Sequence, residues 1–264
     1  MGSFRTAGVM AALGAALFAL CLDAAAADLS VSAAINKAGR QRMLSQRIAK
    51  AYCQLGLGVM PEASTRQLKE SLALFESQLG ELKQFPAAKP VRDSVATLDK
   101  AWQPFKATAT GPVTRPGCEK LTRQSDELLA AAGVLTARIQ ESAGVPAGRL
   151  VNMSGRQRML AQRLAKLYML RAWGFDSPAL HDEMDSARNE FSGALGTLLA
   201  APENTASLRR ELDAVALQWE WFQNALSQDF AYASYRLVVA DSSESMLSSL
   251  ETVTGMYEEL APDR

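Results

Sequence analysis

Asn36-Lys37-Ala38-Gly39-Arg40-Gln41-Arg42-Met43-Leu44-Ser45-Gln46-Arg47-Ile48-Ala49-Lys50-Ala51-Tyr52 returns 116 residues later. The second copy reads Asn152-Met153-Ser154-Gly155-Arg156-Gln157-Arg158-Met159-Leu160-Ala161-Gln162-Arg163-Leu164-Ala165-Lys166-Leu167-Tyr168. Twelve of the seventeen positions are identical, so the chain is a tandem duplication that has diverged least here. A repeat of this length is one domain used twice, too long for a solenoid unit. The function is therefore sought in the two Arg-rich stretches.

The correspondence extends outward. Phe75, Leu79, Gly80 and Leu82 match Phe191, Leu195, Gly196 and Leu198 at the same spacing. Trp102 and Phe105 match Trp219 and Phe222 with one residue inserted, and at that later spacing Asp126 and Glu127 fall opposite Ser243 and Glu244. The copies are assigned to 28–143 and 144–264, joined by Gly144-Val145-Pro146-Ala147-Gly148.

Strand signals are nearly absent, and apolar residues recur at three and four. In the first copy, helices are expected over about 28–58, 62–85 and 90–108, and then from the loop 111–117 to about 142. Pro61, Pro86 and Pro112 mark the breaks. In the second, Ser177-Pro178 reads as an N-cap with proline at the first helical position. The boundary near Ser227 has neither Gly nor Pro and is placed only through the repeat. The fold class expected is all-α: two tandem four-helix up-down bundles packed side by side as an intramolecular pseudo-dimer. In an up-down bundle the end of the first helix and the start of the fourth share one pole. Cys53 and Cys118 sit at those places and are expected to form a disulfide in an oxidising compartment, the alternative being two small unpaired hydrophobes. The second copy has Met169 and Tyr235 there.

Composition narrows the function. Lys plus Arg equals Asp plus Glu at 28 each, so no global field favours nucleic acid or anionic lipid. The single histidine, His181, leaves no basis for a histidine metal site or a Ser-His-Asp triad, and no cofactor is expected. No paired carboxylates, activated nucleophile or phosphate loop stands out, so the chain is not read as an enzyme. Residues 1–27 read as a signal peptide, with Arg5, an apolar run from Val9 to Leu22 and Ala25-Ala26-Ala27 before Asp28. Export to the periplasm follows. Leu20 is a poor neighbour for lipidation of Cys21, so a lipoprotein is the weaker reading. No later segment has the apolar length of a membrane span.

On a wheel of about 100 degrees per residue, Ala38, Gly39, Ser45, Gln46, Ala49 and Cys53 surround Arg42. Leu44, Ile48, Ala51 and Leu55 lie opposite, as a bundle core would, while Asn36, Arg40, Arg47 and Lys50 form a polar face. The second copy repeats this, with Ser154, Gly155, Ala161, Gln162 and Ala165 around Arg158. Small residues let two helices approach, and an arginine inside such a seam is a cost unless neutralised. If the two first helices pack together, Arg42 and Arg158 face each other across a pseudo-two-fold axis. A planar oxyanion between them would suit the guanidinium fork. The plainer alternative is that these arginines pair with Asp and Glu on neighbouring helices.

The Asn-x-Ala-Gly-Arg-Gln-Arg-Met-Leu-Ser-Gln-Arg string of the first copy resembles the PilJ-type domain of type IV pilus-associated methyl-accepting transducers. It is also similar to the periplasmic segment of nitrate/nitrite sensor kinases, with which it shares Ile35-Asn36-Lys37-Ala38-Gly39, Arg42, Met43 and Arg47. The resemblance implies a four-helix sensor unit working as a parallel dimer with nitrate at the interface. The ligand arginines would be Arg42 and Arg158, approached by the backbone near Gly39 and Gly155. Arg40, Arg156, Arg47 and Arg163 would form a surrounding shell or salt bridges to acidic partners, with Gln46, Gln162 and Ser45 also in that shell. The kinases' Ser-Leu is replaced by Arg40-Gln41 and their Gln-Ser-Tyr by Leu44-Ser45-Gln46, which alters the rim. Membrane helices and output domains of those proteins are not seen in this chain.

Two functions follow as expectations. The first is a soluble periplasmic protein that holds nitrate or nitrite between its first helices and reports to a membrane-bound sensor, transducer or transporter. The second is a helical interaction module without a small ligand, docking on a chemotaxis or pilus transducer, to which Tyr232, Tyr235 and the Trp219–Phe222 aromatics could contribute.

Overall fold

The computed structural model describes residues 29–143 and 148–260. The signal peptide expected over 1–27, Cys21 and the joint at 144–147 lie outside them. Among the described residues eight helices follow one another: α1 (Val31–Gly56), α2 (Pro61–Gln84), α3 (Lys89–Ala109), α4 (Arg115–Ala143), α5 (Gly148–Ala172), α6 (Pro178–Leu199), α7 (Ala206–Leu226) and α8 (Ala233–Leu260). Among the described residues no strand occurs, and the fold is all-helical, as the three-and-four periodicity implied.

The helix starts have local causes. Ser30, Ser177 and Thr205 each accept a hydrogen bond from the backbone N–H three residues on, at Ala33, Leu180 and Leu208. Pro61 and Pro178 occupy first-turn positions where their missing N–H costs nothing. Gly58 and Gly174 take φ of 65° and 84° in the turns after α1 and α5, a region that glycine enters without a Cβ clash.

Each set of four helices buries its own aromatic core. Phe75 stacks on Trp102 at 4.0 Å between centroids, with Phe105 at 5.8 Å from Trp102. In the second set Phe191 stacks on Trp219 at 4.0 Å, and Phe222 lies 6.1 Å from Trp219. Cys53 and Cys118, both fully buried, are joined in a disulfide that ties the end of α1 to the start of α4.

The two sets meet along α1 and α5, the most extensive helix pair in the chain. At one end Gly56 lies so close to Trp173 that a Cβ there would stand 1.9 Å from the ring. Arg115 donates to the carbonyls of Trp173 and Gly174 beside it, at 3.2 and 3.0 Å, and lies over Phe175.

The packing revises the alignment of the last helix. Ser125 and Ser243, Leu128 and Met246, Ala132 and Leu250, Thr136 and Thr254 are all buried in matching roles. Those pairs are spaced by 118 residues, one more than the spacing read from Trp102 and Trp219. Asp126 therefore answers to Glu244, and Cys118 answers to Arg236 where Tyr235 was expected.

Candidate functional site

The repeated arginines lie inside the α1–α5 seam. Arg42 is 4% exposed and Arg158 fully buried. Both take the same posture. Each folds back over the glycine one turn earlier, where a Cβ on Gly39 or Gly155 would sit 3.1 Å from the arginine Nη2. Each then donates from Nη2 to an asparagine Oδ1 of the other copy at 2.7 Å, Arg42 to Asn152 and Arg158 to Asn36. The two glycines thus make room for the guanidinium of their own helix. The asparagines are held in turn from the other copy's last helix: Asn36 donates to Glu258 on α8 and Asn152 to Gln140 on α4, the latter at 2.9 Å.

The polar face of α1 points at protein, not water. Lys50 is fully buried and donates to Glu244 at 2.6 Å and to Ser243 at 2.9 Å. Arg47 clasps the same carboxylate with Nε and Nη2. On the mirrored side Lys166, also fully buried, reaches Asp126 at 3.2 Å and Ser125 at 3.4 Å. Burial lowers the pKa of both lysines, partly offset by Glu244 and Asp126. Burial alone would raise the Glu244 carboxyl, but Lys50 and Arg47 outweigh it and hold the value at about 2. Lys50, Lys166, Glu244 and Asp126 were absent from the sequence-based site. The signal for the lysines was their identity in both motif copies.

The pseudo-two-fold correspondence fails at the partner of the buried arginines. Arg158 Nη1 donates to Glu251 on α8 at 2.6 Å, and Arg40 from the first copy pairs with the same carboxylate. At the spacing of the last helix, Glu251 answers to Gly133 on α4. Among the described residues Arg42 consequently has no carboxylate partner, and Arg156, the counterpart of Arg40, pairs with Glu190 on α6. Burial, then Arg156 and Arg158, pull the Arg42 guanidinium down to about 9, against the pull of Glu190. This departs from the symmetric site drawn from the sequence, because Arg158 is already neutralised inside the chain.

Of the other residues expected around the site, the arginines take the salt-bridge alternative and the glutamines bond backbone carbonyls. Gln46 and Gln162 donate to the carbonyls of Ser125 and Ser243, at 3.3 and 2.8 Å, and so join first to last helix within each copy. Ser45 returns its hydroxyl to the Arg42 carbonyl at 2.8 Å. Arg163 pairs with Glu183 on α6 at 2.8 Å. His181 is half-exposed and pairs with Asp176. Of the aromatics, Trp219 and Phe222 are core, whereas Trp221 and Tyr232 are 68% and 62% exposed.

No curated protein matches the chain, and neither does any solved structure. No described helix is long and apolar enough to cross a membrane. One family does match, over 25–134 and again over 145–242, and it is described as the N-terminal part of type IV pili methyl-accepting chemotaxis transducers. The two stretches each carry one Asn-x-x-Gly-Arg-Gln-Arg-Met-Leu motif with its buried arginine, and on them the chain belongs to the PilJ family, in two consecutive copies.

Proposed function

We propose that the chain is a periplasmic helical interaction module of chemotaxis or type IV pilus signalling, which docks on a membrane-bound transducer. In this reading 1–27 is the export signal, and the working parts are 28–143 and 144–264. One observation beyond the family carries it: α7 and the start of α8 expose large apolar residues at positions where the first copy does not repeat them. Leu217 and Trp221 lie one turn apart on α7 and are 58% and 68% exposed. Tyr232, Leu237 and Val238 are exposed where α8 begins, at the pole where α7 ends. The first copy has Lys100 and Pro104 in place of the α7 pair, and Glu119 and Lys120 in place of Leu237 and Val238. Exposed aromatic and aliphatic residues of this kind are the ones that protein contact surfaces use. Capture of the periplasmic part of a PilJ-type transducer tests the reading. Leu217→Glu with Trp221→Glu should abolish capture, and Arg42→Ala with Arg158→Ala should leave it intact. Undiminished capture by the α7 pair would sink the assignment.

A second reading, sensing of nitrate or nitrite, rests on Arg42, a buried cation with no carboxylate partner among the described residues. Isothermal titration with sodium nitrate, against nitrite, chloride and sulfate, should show saturable binding that Arg42→Ala removes. No saturable heat with any of these anions would end it.

A further inference from the structure

The asymmetry between Glu251 and Gly133 locates a ligand site more narrowly than the pair of arginines does. On one side of the α1–α5 seam a carboxylate carried by α8 sits between Arg158 of its own copy and Arg40 of the other. On the other side the same two cations are repeated as Arg42 and Arg156, and the carboxylate is missing because its position is Gly133. A Cβ built on Gly133 meets nothing within 4 Å, so a side chain can start from this position without a clash. Arg42 has the posture of Arg158 in its contact with glycine and its bond to asparagine. Arg158 Nη1 meets Glu251, whereas Arg42 makes its hydrogen bonds through Nη2 alone among the described residues.

We propose that a small carboxylate from solution fills this gap, bound by Arg42 and Arg156 above Gly133, so that Glu251 is the chain's own copy of the ligand. The site lies to one side of the pseudo-two-fold axis and occurs once per chain. Its class follows from the group it replaces, a planar O–C–O anion taken by a guanidinium in a two-point hydrogen bond. Arg156 is turned toward Glu190 and has to swing from that half-exposed pair to close on the ligand. Nitrate has the same planar shape and should compete. The inference deepens the anion reading and rests on it.

Isothermal titration of the purified full chain with sodium acetate, and then with nitrate against acetate, tests it through two substitutions. The wild type should bind one acetate per chain. Gly133→Glu should supply the missing carboxylate and weaken acetate at least tenfold. Glu251→Gly should open the mirrored gap and raise the count to two. Should Glu251→Gly fail to fold once Arg158 and Arg40 lose their shared carboxylate, Gly133→Glu decides alone. Saturable anion binding that Gly133→Glu leaves unchanged would overturn the off-axis site while sparing the anion reading. Binding of nitrate without acetate would overturn the carboxylate class. No binding of either would remove both.

Discussion

At the scale of single residues the chain contrasts a neutralised arginine with one that is not. Gly133→Glu should therefore stabilise the unliganded protein. It replaces a helical glycine, worth roughly 0.5–1 kcal/mol. It also adds a hydrogen bond to a charged group, worth about 1.5–3 kcal/mol before the side chain's ordering is subtracted. A net gain of about 2 kcal/mol should raise the melting temperature by roughly 4–8 °C, readable by circular dichroism. Glu244 gives a pH prediction. Its carboxyl is depressed from 4.5 to about 2 in the folded state, so its contribution is complete above the unfolded value and lost as pH falls between the two. That contribution is on the order of 3 kcal/mol. Urea unfolding at pH 7 and pH 3 should show it, and Glu244→Gln should flatten the difference. Much of this site was legible beforehand: small neighbours on a wheel single out Arg42 and Arg158. What the wheel could not supply was the identity of the polar face's neighbour. Water and a second helix leave the same pattern of Asn36, Arg40, Arg47 and Lys50, and Glu251 lies 93 positions beyond Arg158.

At the scale of helices the ends were readable because Pro61, Pro86 and Ser177-Pro178 are local signals. The register of α8 was not. One inserted residue between α7 and α8 leaves no punctuation, and the short acidic matches at 126–127 fit two spacings equally. Only buried Ser125 and Ser243, bonded from Gln46 and Gln162, decide it. The disulfide between α1 and α4 closes a separation of 65 residues. Its loss through Cys53→Ala with Cys118→Ala should cost up to about 4 kcal/mol by loop entropy. Hydrogen exchange should show the loosening in α1 and α4 and spare α6 and α7. Gly56 is the sharper test of the seam. Gly56→Ala drives a methyl into the Trp173 ring and should destabilise by about 1–3 kcal/mol, although alanine is the better helix former. A neutral or stabilising result in chemical denaturation would mean that the α1 and α5 ends do not meet this way.

At the scale of the whole chain, the copies are cross-braced: the first helix of each is held by the last helix of the other through Lys50–Glu244 and Lys166–Asp126. Pairs with one member fully buried resist salt better than exposed ones. We expect calorimetry to show one unfolding transition for both copies, persisting at high ionic strength. Glu244→Ala strands Lys50 without its carboxylate and should cost about 3–5 kcal/mol. It should also split the transition, with the two copies melting apart.

The single glycine at 133 has a consequence for how such a protein answers its ligand. In a homodimer every substitution is written twice, so a gap opened in one subunit opens in the other, and two equivalent sites can influence one another. A fused pair is free of that constraint. On the site proposed above Gly133, Glu251 fills one of the two positions and the molecule would be monovalent. Its occupancy should rise along a simple hyperbola, with a Hill coefficient of about 1 and no half-filled intermediate. A monovalent site of that kind would give a graded response over a broad range of concentration and forgo the sharp threshold that paired sites make possible.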